Sequence, residues 1–486
     1  MTLPSSLRSP PATAAILLAV ALAIRAWQFG NPVIHIDEQF YLLVGDRLWQ
    51  GRGLPFVDFW DRKPFGLFLV YAATRMFGGD AVIAYQLAAT LCAAATAWVV
   101  QRLACRIADG WGPLFAGIAY LVYLSVNGGD GGQSPVFYNL PVALAAWAVV
   151  RVYERPAFDR TAAGFSALAM VLFGVALQIK YSVLFEGVYF GVTLLVAARR
   201  LPVLRIVGWA FLWCVLALLP TAAVFELYWH VGEVDALIFA NFQSVFLRKA
   251  PESALMAERL AMIALHLLPL LIVAGLGVTG VTRLRPAGRL LIGWAGAAIA
   301  GLLLFGTYFD HYALPLVVPL AVLAAPVLGR PIRALRRSVP VAVPVLAVGL
   351  CYVLVNTIVL RGTRGDGRGA YRLAATIGRA PDGCLFVFQG DPILYQLTDA
   401  CVPTAYNFTT FLSEMGDSRT LGIDPHAELA RVMAARPGYV VISSVDPEAT
   451  DIEARGFVMR QLARHYRLVD QFALSERVDQ LYRRVD

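Results

Sequence analysis

The sequence predicts an all-α polytopic membrane domain, residues 1–360, followed by a small α/β domain, residues 361–486. Three observations favour this fold class. The chain is 58% hydrophobic and only 15% charged, whereas soluble domains carry roughly 25% charged residues. Apolar runs of membrane-spanning length recur through residues 1–360, and the character of the chain changes after Arg361. The net charge of +8 is explained by basic cytoplasmic loops, so we expect no nucleic-acid partner.

Eleven apolar runs are predicted to cross the bilayer, because a crossing needs about 20 largely apolar residues. The first is interpreted as an uncleaved signal anchor rather than a signal peptide, since only Arg8 precedes it and no small-residue cleavage site follows. The predicted spans are 13–30, 81–102, 112–127, 136–152, 162–179, 181–198, 206–228, 259–280, 288–306, 311–328 and 339–360.

Basic residues occupy alternate connections between these spans, and basic loops lie on the cytoplasmic side. The N-terminus is therefore predicted to be cytoplasmic, and the C-terminal domain extracytoplasmic. The basic connections are Arg102 with Arg106, Arg151–Arg160, Arg199–Arg205, Arg283–Arg289 and Arg330–Arg337. The outward-facing segments are then 31–80, 128–135, the turn at Lys180, 229–258, Tyr308–His311 and the tail.

Within the outer loop 31–80, the apolar segment 65–78 has only 14 residues. That length is short for a full crossing. A crossing here would also invert the downstream topology and place the basic loops on the wrong side. We therefore expect an interfacial or re-entrant helix.

The tail, residues 361–486, contains short apolar runs bounded by turn signals. LFVF at 385–388 and YVVIS at 439–443 are typical of buried strands. HAELARVMAARPG at 426–438 is typical of a helix that stops at Pro-Gly. Cys384 and Cys401 would be able to form a disulfide if the tail is extracytoplasmic, and the sequence leaves their pairing open.

The outer loop begins with an unusually charged stretch, His35–Gly66. Asp37 and Glu38 are expected on a short turn at the outer mouth of the first span, where one carboxylate can face a substrate and act as a general base. The alternative is a pair of solvated loop acids. Arg62 and Lys63 place two cations just ahead of the short helix.

Two further polar positions interrupt apolar runs. Lys180 divides a run long enough to cross and return, so its charge must face a cavity or the outer surface. It is either a phosphate ligand or a snorkelling lysine with Glu186 as its partner. His311 and Tyr312 open a late span and are either phosphate or sugar ligands or part of an interfacial aromatic belt. Cations and a carboxylate on separate helices at one membrane face favour a site for a lipid-linked anion.

At these residues the chain resembles the GT-C superfamily of polyprenyl-phosphate-dependent glycosyltransferases, in the branch of the protein O-mannosyltransferases and the lipid A aminoarabinose transferase. The similar segments are HIDEQFYLLVGDRLWQG, WDRKPFGLFLVYAATRMFGGDAVIAYQLAAT, GVALQIKYSVLF, FDHYALPLVVPLAVLAAP and VFQGDPILYQLTDACVPTAYNF. The resemblance implies that Asp37, with Glu38 beside it, is catalytic and that 31–80 is the catalytic loop. It implies that Lys63, Lys180 and Tyr312 bind the carrier phosphate.

The sequence departs from the family pattern at two positions. Family members place a second acid before the fourth span, where this chain has Pro135. Asp130 is the candidate substitute and Asn139 a weaker one, so the use of a divalent metal such as Mg or Mn stays open. Phe65 also replaces the second proline of the Lys-Pro-Pro motif.

The resemblance implies an inverting transferase that moves a monosaccharide from a polyprenyl-phosphate carrier to a lipid, glycan or protein acceptor. The reaction would take place on the outer face of a bacterial-type inner membrane. Two alternatives stay open: a transporter or flippase for the lipid-linked sugar, and a non-catalytic family member. A transporter is typically built from inverted repeats with charges near mid-bilayer, and the sequence has neither feature.

Overall fold

The computed structural model describes residues 9–248, 252–281, 286–332, 339–444 and 450–485. Contacts divide the chain into two compact units. The first unit comprises 1–28, 86–224 and 250–356, and the second comprises 29–85, 225–249 and 357–486. The second unit therefore joins the charged outer loop to the tail. The domain boundary between residues 360 and 361 was drawn from composition and stays a prediction.

The described residues form 19 α-helices. The first ten are α1 Pro10–Arg25, α2 Ile36–Trp49, α3 Phe65–Thr74, α4 Ala81–Ala104, α5 Gly112–Val126, α6 Ser134–Tyr153, α7 Arg160–Leu177, α8 Leu184–Ala198, α9 Val203–Val231 and α10 Val234–Ile238. The others are α11 Ser253–Val281, α12 Pro286–Phe305, α13 Leu314–Leu328, α14 Ala342–Thr363, α15 Arg368–Ile377, α16 Ile393–Thr398, α17 Met415–Ser418, α18 Pro425–Ala434 and α19 Ile452–His465.

Ten helical segments of the described chain are long and apolar enough to cross a membrane. They correspond to ten of the eleven predicted spans. The remaining prediction, 112–127, coincides with α5, which is apolar but has 15 residues. The predicted fold class, a polytopic helical domain with a small α/β tail, is confirmed. Orientation stays a prediction, and the basic positions within 282–285 and 333–338 lie outside the described residues.

Helix α3 is short, as predicted, with ten residues. It packs closely on α2, because a Cβ atom added to Gly45 would lie 2.6 Å from the Cβ of Tyr71 and 2.8 Å from the backbone nitrogen of Ala72. Leu69 and Phe77 nearby are exposed. Ten residues span about 15 Å, half of the hydrocarbon core, so α3 cannot cross a bilayer. Its interfacial position stays a prediction.

The tail contains a four-stranded sheet of β1 Leu385–Val387, β2 Tyr439–Ser443, β3 Tyr466–Ala473 and β4 Val478–Arg484. The strand order is β1-β2-β4-β3, with β1 and β2 parallel and the other pairs antiparallel. The two predicted strands and the predicted helix, α18, are confirmed. The structure also joins Cys384 to Cys401 by a disulfide with a Cα–Cα distance of 4.7 Å, a normal separation for such a bond.

Candidate functional site

Asp37 and Glu38 lie in the first turn of α2, not in the loop turn expected from the sequence. Negative side chains at a helix N-terminus are stabilised by the unpaired backbone N–H groups there. Glu38 is completely buried, whereas Asp37 is half-buried. Of the two carboxylates, Asp37 is therefore the one a substrate can reach.

Asp61 is a further carboxylate of the charged loop, and sequence reasoning gave it no role. It is buried, and its Oδ1 accepts the backbone N–H groups of Arg62 and Lys63. Burial raises the pKa of Asp61, Lys63 and Arg62 oppose that rise, and Asp37 adds to it. Asp37, Asp61 and the two cations therefore share one electrostatic environment. The signal in the sequence was an Asp placed directly before two cations.

The adjacent cations Arg62 and Lys63 have different surroundings. Arg62 donates to Asp417 Oδ1 at 2.9 Å and to Thr420 at 3.3 Å, so it is held by the tail. The ammonium of Lys63 lies 5.4 Å from the ring centroid of Tyr41, one turn after Asp37 on α2. Lys63 is thus the cation of this pair that lies against the helix carrying Asp37.

In the first unit, Lys180 and Tyr312 are brought together, as the resemblance implies. Lys180 follows α7, is 6% exposed, and places its Nζ 3.8 Å from the ring centroid of Tyr312. The His311 ring packs edge-on against Tyr312 at 4.8 Å. A cation over an aromatic face is attracted by the ring quadrupole. The pair lines a cavity formed by Lys180, Ser182, Phe185, Glu186, Ala297, Ala298, Gly301, Leu302, Tyr312 and Pro315.

Glu186, the partner expected for a snorkelling Lys180, lines the same cavity. Its Oε1 accepts a hydrogen bond of 2.6 Å from the indole N–H of Trp294, and both side chains are buried. Snorkelling holds the charged head in water, which does not describe a lysine this deeply buried. The placement of Lys180 favours a cavity ligand.

The two candidates for the second acid differ in their surroundings. Asn139 is 1% exposed and donates to the backbone oxygen of Leu314 at 3.2 Å and to Tyr120 at 3.4 Å, so it serves helix packing. Asp130 lies in the loop before α6 and accepts a hydrogen bond of 2.8 Å from Gln28. The loop position leaves Asp130 the better placed of the two to meet a ligand.

The loop that carries Asp130 is held in place by hydrogen bonds from a buried arginine that sequence reasoning missed. Arg25, on α1, donates to the carbonyl oxygens of Gly129 and Gly131 and to Thr90 Oγ1. It is 2% exposed. Burying an arginine inside an apolar run costs free energy unless its N–H groups are hydrogen-bonded. The arginine within the first apolar run was therefore the signal in the sequence that was overlooked.

No group of three or more His, Cys, Asp or Glu side chains is placed to hold a metal ion within the ranges that the structure describes.

The described chain, with its helical bundle, charged first loop and α/β tail, has a fold that is similar to those of solved structures. Among solved structures, this chain is similar to ArnT from Cupriavidus metallidurans in the apo state, with a TM-score of 0.66 and 16% identity over 96% of this chain and 97% of that one. The same enzyme bound to undecaprenyl phosphate gives a TM-score of 0.64 at 16% identity and the same coverage. The apo oligosaccharyltransferase of Archaeoglobus fulgidus gives 0.51 at 12% identity, over 90% of this chain and 70% of that one. No family model and no curated protein matches the sequence.

Proposed function

We propose that the chain is an inverting glycosyltransferase that moves a monosaccharide from a polyprenyl-phosphate carrier to a lipid, glycan or protein acceptor. The observation that carries the proposal is the match to ArnT over nearly the full length of both chains, including the form with undecaprenyl phosphate bound. The reaction takes place on the outer face of a bacterial-type inner membrane, with the N-terminus cytoplasmic and the tail extracytoplasmic.

The chemistry requires a proton acceptor and positive charge. The acceptor's nucleophilic atom attacks the anomeric carbon while the bond from that carbon to the carrier phosphate oxygen breaks, and its electron pair leaves with the phosphate. Asp37 takes the proton of the nucleophile. Lys63, Lys180 and Tyr312 stabilise the negative charge of the departing phosphate.

The neighbouring groups receive supporting roles. Glu38 is buried beside the base, and His311 packs against Tyr312. We assign acceptor binding to Asp130, which lies in a fastened loop, and helix packing to Asn139. Arg62 holds the tail through Asp417 and is not assigned to the phosphate.

The test is release of the bare carrier from a panel of polyprenyl-phosphate sugars, with and without chelator. Asp37→Asn should abolish release while the protein remains expressed and folded. Asp58→Asn is the matched control, because it makes the same charge change at an exposed position of the same loop. A normal rate for the Asp37→Asn variant would refute the assigned base. A transporter would instead move the lipid-linked sugar across vesicles without releasing the carrier.

A further inference from the structure

The helix that carries Asp37 is attached to the tail through one buried side-chain amide. Gln39 is 2% exposed. Its Nε2 donates to Asp391 Oδ1 at 3.0 Å, and its Oε1 accepts from the backbone N–H of Ile393 at 3.1 Å. Both polar atoms of the amide are therefore hydrogen-bonded. Because an unsatisfied buried polar group is costly, these two bonds fix Gln39, and with it the rotation of the first turn of α2.

Asp391 is itself bound by an arginine next to the sheet of the tail. Its Oδ2 accepts a hydrogen bond of 3.0 Å from Arg477, which also lies 3.2 Å from Asp479 at the start of β4. Asp391 and Asp479 are both mostly buried. Asp391, the residue that Gln39 binds, is therefore held in place by its ion pair with Arg477, which also lies beside Asp479.

Further contacts hold α2 against the tail. Phe40 packs edge-to-face on Phe408 and Phe411, with centroid distances of 5.3 and 6.5 Å. Farther along the helix, Arg47 donates to Asp399 at 2.7 Å. The helix is thus held by the tail at its first turn and at its last turn.

We propose that Gln39 and Asp391 are positioning residues that fix the direction of the Asp37 carboxylate, so that the tail helps to orient the general base. The proposal rests on the proposed function, because it takes Asp37 as the base. A base must lie within hydrogen-bond reach of the proton it removes, and a displacement of about 1 Å can cost roughly 100-fold in rate.

The test is an exchange of the two polar groups. Gln39→Glu places a carboxylate against Asp391 and should lower kcat at least about tenfold, with KM for the donor changed less than about twofold. Adding Asp391→Asn restores the pairing, since the amide introduced at position 391 can donate to the carboxylate introduced at position 39 and accept from Arg477. The net charge then returns to that of the parent. The double variant should recover kcat to within about threefold of the parent.

The control is Arg372→Gln, which removes the ion pair between Asp470 and an arginine side chain that is 59% exposed, in the same tail, and should leave kcat unchanged. The positioning role is overturned if Gln39→Glu keeps the parent kcat, or if the double variant is no faster than Gln39→Glu alone. Asp37→Asn is measured in parallel. If it retains activity, the proposed function fails, whereas a dead Asp37→Asn beside a fully active Gln39→Glu overturns only the positioning role.

Discussion

Replacing Asp399 with Asn removes the counter-charge of a buried guanidinium. The Arg47 side chain is 7% exposed and donates to Asp399 at 2.7 Å and to the carbonyl oxygen of Ala400 at 3.0 Å. Arg52 donates to the same carboxylate at 2.8 Å but is 51% exposed. Asp399 has a positive φ of 51°, a conformation that Asn also tolerates, so the substitution tests charge without straining the backbone.

The expected magnitude follows from these exposures. A hydrogen bond to a charged group contributes about 1.5–3 kcal/mol net, and the exposed Arg52 pair adds less than about 1 kcal/mol. The Asn oxygen keeps part of the bond to Arg47. The free energy of local opening of α2 should therefore fall by about 2 kcal/mol, which corresponds to roughly 30-fold faster exchange at about 1.36 kcal/mol per decade.

The assay is hydrogen–deuterium exchange of the α2 amides in the detergent-solubilised protein, because exchange reports local opening. Asp366→Asn is the matched control, since it removes the same charge from an ion pair with Arg368 in which the side chains are 36% and 85% exposed. We expect no change in α2 for this control. Unchanged α2 exchange in Asp399→Asn, or an equal increase in the control, would refute the reasoning.

Three further predictions concern other parts of the chain. Burial, with a nearby carboxylate, raises the pKa of Glu414 from its usual 4.5 to about 7. The contribution of protonated Glu414 to the free energy of unfolding is therefore complete below pH 4.5 and is lost as the pH rises towards 7. Glu414→Gln should flatten the dependence of Tm on pH over that interval. Gly45→Ala should cost about 1–3 kcal/mol, measured as a lower Tm, because the added methyl group overlaps α3; Gly164→Ala, with no atom within 4 Å of the new Cβ, is its control. Tyr312→Phe keeps the ring beside Lys180 and should weaken binding of a polyprenyl phosphate less than Tyr312→Leu does, which a binding titration checks.

The membrane-length helices, α18 and two of the strands were predictable because they depend on local composition. A bilayer-length apolar run needs no information about its neighbours, and β1 and β2 are apolar runs buried along their whole length. The hairpin β3–β4 was missed because its strands expose charged residues and have no continuous apolar run. The same reason hid α19, whose sequence is rich in arginine.

The candidate site was predictable where charge interrupted an apolar background, as at Lys180, or clustered beside it, as at Asp37 and Lys63. It was not predictable where a side chain contacts a residue that is distant in the sequence. Gln39 and Asp391 are separated by 352 residues, and neither is unusual in its own segment. Arg25 was overlooked because its satisfying partners are backbone oxygens, which no sequence pattern displays.

Residues 29–85 and the tail belong to one compact unit, and this grouping bears on the proposed function. Three kinds of contact bind the charged loop to the tail: the backbone hydrogen bond of 2.9 Å from Trp60 to Ala405, the ion pair of Arg62 with Asp417, and the Gln39 amide. In each contact, a polar group of the loop is paired with a polar group of the tail. Two short helices and a charged connection bury little apolar surface by themselves, so the loop depends on these partners for a defined geometry. Under the proposed function, substitutions at the tail residues that contact the loop should therefore change kcat through α2, whereas substitutions elsewhere in the tail should not.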